Sequence, residues 1–326
     1  MGTYIIRRVL QMIPVLLGAT FLIFTMVFAL PGDPTAGKCG ERPCPAAYVA
    51  KYRAEHNLDD PLPLQYVKYL GVWPTGNLEA GKEGETHFSG LLQGNFGTNY
   101  NGYEVKQDLI QRYPITAKLA IVAIVFEVII GIAAGVLTGV RKGGFLDNLV
   151  LVSTLVVISI PIFVIGALAQ YFLGVKAGLF PVTVSAQATW YELLMPGMVL
   201  GALSVAYVSR LTRTNLVENL RADYVRTAIA KGLTKRRAVS VHALRNSLIP
   251  VVTFVGYDFG GLLGGAIVTE RIFNIQGVGG YIYRGINNRD GVAVVGAVTM
   301  LVLVYLVVNL IVDLLYGVLD PRISHD

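Results

Sequence analysis

Glu127 and Asp258 are the first residues to question, because each is a carboxylate set within a long apolar run. A charge in hydrocarbon costs at least about 2.5 kcal/mol, so such an acid marks either a path for polar cargo or a side chain satisfied by a neighbouring helix. Both readings stay open for both residues. No histidine falls in these runs, which argues against a proton relay. Cys39 and Cys44 enclose four residues in C-G-E-R-P-C, a spacing open to a small disulfide loop or to two free thiols. A metal would need more ligands, and His56, His87, His242 and His325 are scattered without ligand spacing. The stretch from Gly76 to Glu83 approaches the phosphate-loop pattern G-x-x-x-x-G-K-[ST]. Glu83 stands where a hydroxyl should bind Mg²⁺, and it would repel phosphate. The stretch is therefore expected to be a loop, and the chain is expected to bind no cofactor and to hydrolyse no ATP itself.

These residues are held by a chain that is 54% apolar and 15% charged, with a mean hydropathy of +0.57. That is more apolar surface than a soluble domain easily hides, so the class is a membrane protein. A helix needs roughly 20 apolar residues to cross a hydrocarbon core about 30 Å thick. Six runs qualify, near Val9–Leu30, Pro114–Val140, Asn148–Leu173, Leu193–Leu211, Ser247–Val268 and Val292–Tyr316. The expected fold is all-α: a polytopic membrane protein with six transmembrane helices, a large extracytoplasmic loop between spans 1 and 2, and charged helices between spans 4 and 5. The corresponding organisation is a first segment and span over 1–31, a loop region over 32–113, and a membrane core over 114–326 that contains the charged segment 212–246. The first run follows Arg7 and Arg8 and, at 22 residues, exceeds the apolar region of a signal peptide. It reads as an uncleaved anchor.

Orientation follows the positions of Lys and Arg in the loops. Thr212–Asn246 holds eight basic and two acidic residues, a net of +6 that equals the charge of the whole chain. Gly32–Tyr113 holds eight basic and ten acidic residues. Both termini and the cationic segment are thus placed in the cytosol and the first loop outside, where an oxidising compartment lets a Cys39–Cys44 disulfide persist. Lipid is an expected partner of the cationic segment, and nucleic acid is not. Glycines at four-residue spacing, Gly131-Gly135-Gly139 and Gly256-Gly260-Gly264, predict close helix contacts in lipid. Pro14, Pro161 and Pro250 favour kinks or breaks.

Within the cationic segment, Tyr224, Val225, Ala228 and Ile229 fall at helical spacing and Gly232 supplies a stop. Thr234 can cap a second helix with Val241, Leu244 and Leu248 on one face. Two short helices at a sharp angle are expected. A basic loop beside a membrane can do no more than touch anionic lipid, and composition alone favours that role.

The residue order says more. Tyr224-Val225-Arg226-Thr227-Ala228-x-Ala230-Lys231-Gly232-Leu233, followed by His242-Ala243-Leu244-Arg245-Asn246 and Pro250, closely resembles the cytosolic loop of binding-protein-dependent ABC transporter permeases. Within that group it is similar to the B-type subunit of dipeptide and oligopeptide permeases. Further agreement comes from Arg7-Arg8-x4-Ile13-Pro14, Leu30-Pro31-Gly32-Asp33-Pro34, Gly260 to Ala266 with Glu270, and Asn309-x3-Asp313-x6-Asp320-Pro321-Arg322. The resemblance spans nearly the whole chain, except that the stretch Lys38–Gln93 is longer than the usual first loop.

The resemblance implies a bacterial inner-membrane importer subunit whose cationic loop docks in a cleft of a separate ATPase. The residues expected to couple are Asp223, Tyr224, Arg226, Thr227, Ala228, Lys231, Gly232 and Leu233. It also implies two ATPase subunits that use ATP and Mg²⁺, a companion permease, and a solute-binding protein received by the first loop and the Ile272–Asp290 segment. The wider permease pattern carries Glu-Ala-Ala before its glycine where this chain has Arg226, Thr227 and Ala228, so a Glu contact is not carried over. The implied cargo is a peptide, although similar systems carry nickel, opines or glutathione. Glu127 and Asp258 are the candidates for the translocation path.

Overall fold

The computed structural model describes residues 2–29, 44–55, 57–76, 86–264 and 266–319. In chain order the helices are α1 (Gly2–Phe28), α2 (Ala46–Glu55), α3 (Leu62–Leu70), α4 (Val105–Val140), α5 (Phe145–Ser159), α6 (Ile162–Ala169) and α7 (Trp190–Asn219). There follow α8 (Asp223–Ala230), α9 (Lys235–Arg237), α10 (Leu244–Ser247), α11 (Ile249–Leu263), α12 (Ile267–Ile272), α13 (Val278–Asn287) and α14 (Gly291–Leu319). A π-helical turn, Gln170–Lys176, extends α6, and another, Ala238–Ala243, joins α9 to α10. Two-residue strands β1 (Thr75–Gly76) and β2 (Thr86–His87) pair antiparallel. Cys39, and with it the Cys39–Cys44 pairing, lies outside the described residues, as does most of the Gly76–Glu83 stretch.

Four described helices, α1, α4, α7 and α14, are long and apolar enough to cross a membrane. Two bent pairs raise that to six if each pair counts as one span. The first pair carries the kink expected at Pro161 much further than a kink, because Phe145–Ser159 and Ile162–Lys176 meet at 102°. Pro161 is the cause: it lacks an N–H, and its ring pushes the preceding residue out of the helical region. Ile160 accordingly sits at φ −93° and ψ 126°, and α6 begins afresh after Pro161. The second pair, Lys235–Ser247 and Ile249–Leu263, bends by 45° where Pro250 enters the first turn of α11. The expected run Ser247–Val268 is also shorter than its apolar sequence, since α11 stops at Leu263.

The chain divides into two compact units. One comprises Met1–Ile6, Ile115–Gln276 and Val304–Asp326, and the other Arg7–Pro114 and Gly277–Leu303. In the first, glycines set the helix spacing, as the sequence led us to expect. A Cβ on Gly131 would lie 2.7 Å from Val208, one on Gly135 2.5 Å from Thr212, and one on Gly139 3.1 Å from Leu216. From the facing helix, Gly197 and Gly201 approach Val122 and Ala123 just as closely. Contact positions rise together along both sequences, so α4 and α7 run parallel. The chain between them must therefore return once to the starting face, which is work for α5 and α6. Gly256 and Gly260 meet Val312 and Asn309 in the reverse sense, so α11 and the end of α14 are antiparallel. Around Leu119, Leu193, Met195, Val199, Phe273 and Ile275 the apolar side chains close a core. Elsewhere in this unit, buried Asp147 is tied to Arg213 by two bonds of 2.5 and 2.6 Å, joining α5 to α7.

The second unit is held by aromatic contacts. Phe24, Tyr66 and Val295 form its buried centre, and Phe21, Phe24 and Tyr69 pack around Tyr66. The Tyr66 hydroxyl donates to the Leu17 carbonyl at 2.9 Å, and Tyr69 bonds Thr299 at 2.7 Å. Burial pushes the Tyr69 phenol up to about 12. These bonds give buried hydroxyls their partners, whose loss would cost about 1–3 kcal/mol each.

Candidate functional site

The cationic segment leaves α7 at Asn219. Its side-chain amide donates to the Asn215 carbonyl at 2.9 Å and to Ser247 Oγ at 3.1 Å, while its Oδ1 accepts from the Tyr224 hydroxyl. One side chain thus fixes the end of α7, the start of α8 and the end of α10. Val225 and Ala228, three residues apart on α8, are both buried, and Val225 packs with Leu216, Ala238 and Ala243. Burying the valine alone is worth about 1.5–3 kcal/mol. Asp223 lies in the first turn, where a negative charge suits the helix dipole.

Beyond Lys231 the helix closes as a Schellman motif. Gly232 N–H donates to the Ile229 carbonyl at 2.9 Å, and Leu233 N–H donates to the Ala228 carbonyl at 3.2 Å. The turn holds Gly232 at φ 92°, a conformation that costs an L side chain about 1–2 kcal/mol. Thr234 then caps the next helix, its Oγ1 accepting from Arg237 N–H. That helix departs from expectation in two ways. It is not an isolated short helix, because helical turns continue to Ser247 and past a bend into α11. Its buried face is Ala238, Ala243 and Ser247, while Val241 is half-exposed. The wider π-helical turn over Ala238–Ala243 shifts the register on which the α-helical spacing relied.

Of the residues expected to couple, Asp223, Tyr224, Arg226, Thr227, Lys231 and Gly232 are exposed, Leu233 is partly covered, and Ala228 is buried. Arg221, Arg226, Lys231, Lys235, Arg236, Arg237 and Arg245 all face solvent. Arg213, the eighth cation of the segment, is bound to Asp147 and adds nothing to this surface. Arg226 and Asp223 approach to 3.5 Å at high exposure, which is worth only a few tenths of a kcal/mol.

The two intramembrane acids come together. Glu127 of α4 is fully buried, and its carboxyl lies beside Asp258 of α11 and Ser204 of α7. Asp258 Oδ2 accepts from Ser204 Oγ at 3.0 Å. Asp313 is a further acid inside an apolar run, overlooked by the sequence reading. It is buried on α14 and accepts from the Tyr257 hydroxyl at 2.6 Å. Its place in a span was visible in the sequence, but its tyrosine partner was not.

In the second unit, a cavity of about 710 Å³ is lined by Asn99–Asn101, Asp108, Arg112, Tyr281, Arg284 and Asp290, among others. It joins parts of the two segments expected to receive a binding protein. Asp290 organises its wall, accepting from Tyr100 N–H at 2.7 Å and from Ala293 N–H at 3.0 Å, the second bond capping α14. Burial pushes the Tyr281 phenol up to about 12.

Glycine-set helix contacts, long apolar helices and broken spans fit a multi-pass membrane protein. The chain belongs to the family described as binding-protein-dependent transport system inner membrane component, which matches residues 131–325. The N-terminal region of the same kind of membrane component matches residues 1–120. The chain is 34% identical to the dipeptide transport system permease protein DppB of Escherichia coli, over 99% of this chain and 98% of the relative. It is 34% identical to the di/tripeptide transport system permease protein DppB of Pseudomonas aeruginosa, over 100% and 99%. It is also 35% identical to the glutathione transport system permease protein GsiC of Pectobacterium atrosepticum, over the whole of both chains. Each is a permease subunit by name, and the family works with a binding protein.

Proposed function

We propose that this chain is the transmembrane permease subunit of an ATP-driven ABC importer that moves di- or oligopeptides delivered by a solute-binding protein. The names of the similar dipeptide and di/tripeptide permeases support the cargo class. The coupling role rests chiefly on α8, whose apolar face is sunk into the protein while its cations project outward, with its end fixed by Gly232 and its start by Asn219. A helix held in this way passes a push to α7 and α11 instead of absorbing it. Asp223, Tyr224, Arg226, Thr227, Lys231, Gly232 and Leu233 meet an ATPase subunit in this reading, and Ala228 supports them from inside. Two such ATPases consume ATP and Mg²⁺, and a companion permease completes the pathway.

The bent pairs count as one span each in this topology, giving six, with both termini and the cationic loop in the cytosol and the polar loop outside. The parallel course of α4 and α7 supports that count, since a single return crossing lies between them. The cavity wall around Asp290 receives the binding protein, Cys39 and Cys44 form a disulfide in the outer loop, and Glu127 and Asp258 border the cargo path.

The test is reconstitution in liposomes with the companion permease, the ATPases and the receptor. Uptake of Ala-Ala should require every component, and uptake without the ATPases would establish a self-contained carrier instead. Gly232→Trp should abolish uptake while ATP hydrolysis continues. Gly232→Ala shares the strain at positive φ, about 1–2 kcal/mol, without the bulk. The space beside Gly232 is open, so the alanine should retain most of the uptake. Wild-type uptake by the tryptophan variant would overturn the docking assignment.

A further inference from the structure

Glu127 is 0% exposed, and among the described residues neither of its carboxyl oxygens has a hydrogen-bond partner. It lies beside Asp258, which is only partly buried and keeps one oxygen on Ser204. Among the described residues, no Lys, Arg or His makes an ion pair with either acid. Two ionised carboxylates side by side in an apolar layer would repel one another and lose their hydration, each at a cost of several kcal/mol, so the pair carries a single negative charge, on the more exposed Asp258. A helix bundle for which only packing mattered would do better with two apolar residues. The arrangement makes physical sense if a cation completes it.

The surroundings indicate which kind. One turn before Asp258 on α11 stands Phe254, and one turn after Ser204 on α7 stands Tyr207. Their rings stack with centroids 6.0 Å apart and an interplanar angle of 29°. Tyr207 is 52% exposed, so part of this ring pair is open to whatever passes. On the other side of Asp258, Gly261 has open space where a side chain would stand. A carboxylate that supplies charge, ring faces that attract a weakly hydrated cation, and a bare backbone beside them suit an organic ammonium group. A small metal ion would need more oxygen ligands than this, and no group of three or more acids, histidines or cysteines exists among the described residues.

We propose that Asp258, with Ser204 and the Tyr207–Phe254 ring pair, forms a transient seat for the side-chain ammonium group of a lysine-bearing peptide cargo, and that Glu127 is a positioning residue packed beside it. The proposal rests on the peptide-importer reading. The seat is weak by design of its parts: a single half-exposed acid holds a cation long enough to bias entry, and releases it when the helices move.

The test uses the complete reconstituted transporter with receptor saturated by Ala-Lys-Ala or by Ala-Glu-Ala, and reads uptake of each per ATP hydrolysed. The wild type should favour the lysine peptide, and Asp258→Asn should reduce the Lys/Glu uptake ratio by roughly tenfold, the scale of one charge or cation–ring contact. Asp258→Glu should restore most of the ratio. A purely structural role would depress both peptides equally and leave the ratio unmoved. Should Asp258→Asn fail to assemble, the exposed Tyr207 supplies a second variant, Tyr207→Ala, expected to lower the ratio by roughly threefold while Tyr207→Phe preserves it. An unchanged ratio in the variants that transport both peptides overturns this seat alone. Uptake of neither peptide by the wild-type complex overturns the peptide reading, and the seat with it.

Discussion

Seven cations of the loop between α7 and α11 project into solvent, whereas Asp108, Arg112, Arg284 and Asp290 line a cavity in the other unit. Both regions connect apolar helices, and both are rich in charge. The loop fixes its backbone with neutral groups, namely the Asn219 amide, the Ser247 hydroxyl and the Schellman turn, so its charges remain free to meet something else. The cavity wall instead uses a charged group, Asp290, as its fastener. Charge spent inside a structure holds shape, and charge left outside serves association. This contrast separates a loop whose charges are left to solvent from a wall that one carboxylate holds together.

Asp290→Ala should have the largest effect on stability, because it removes the cap of α14 and the anchor of the Tyr100 loop together. We expect a loss of about 2–3 kcal/mol, seen as a lower unfolding temperature and faster proteolysis near Tyr100. If the unfolding temperature held, the carboxylate would not be the fastener. Asn219→Ala comes next, at about 1–2 kcal/mol. It should also lower the amount of cargo moved per ATP, since α8 would no longer be fixed to α7 and α10. Equal coupling in that variant would show that packing of Val225 and Ala228 alone makes the lever stiff. Charge reversal at Arg226 should barely change stability, the ion pair with Asp223 being exposed, yet should weaken ATPase association in a salt-dependent way measurable by co-purification.

The smallest effect at neutral pH belongs to Tyr281→Phe. The folded protein holds the Tyr281 proton up to about pH 12, against about 10 for an ordinary phenol. Its contribution to stability is therefore complete below pH 10 and is lost as pH climbs towards 12. The phenylalanine variant should show a shallower alkaline loss of stability than the wild type and no difference at pH 7. An identical slope would mean that the phenol is open to water.

Much of this architecture was legible beforehand. Six apolar runs, the stop at Gly232, the cap at Thr234 and the close approach of the Gly131-Gly135-Gly139 face follow from hydropathy, backbone chemistry and side-chain size, all local properties. The 102° break at Pro161 was half visible: a proline announces a break but not its angle. The buried face of the helix after Thr234 was misjudged because a π-helical turn changes the register, and no residue in Ala238–Ala243 advertises one. Arg213 counted towards the cationic surface until its partner, 66 positions earlier, was seen to claim it.

The sequence by itself determined that this chain lies in a membrane, where its helices run, and which segment carries the charge. Those outcomes depend on each residue's solvent preference and backbone freedom, which act over a few turns. Only the tertiary structure decided that Glu127 and Asp258 share one place, that Asn219 joins three helices, and that Asp290 ties a distant loop to α14. The distant members of those contacts link positions between 28 and 190 residues apart, and no local preference can specify which distant side chain arrives at bonding distance.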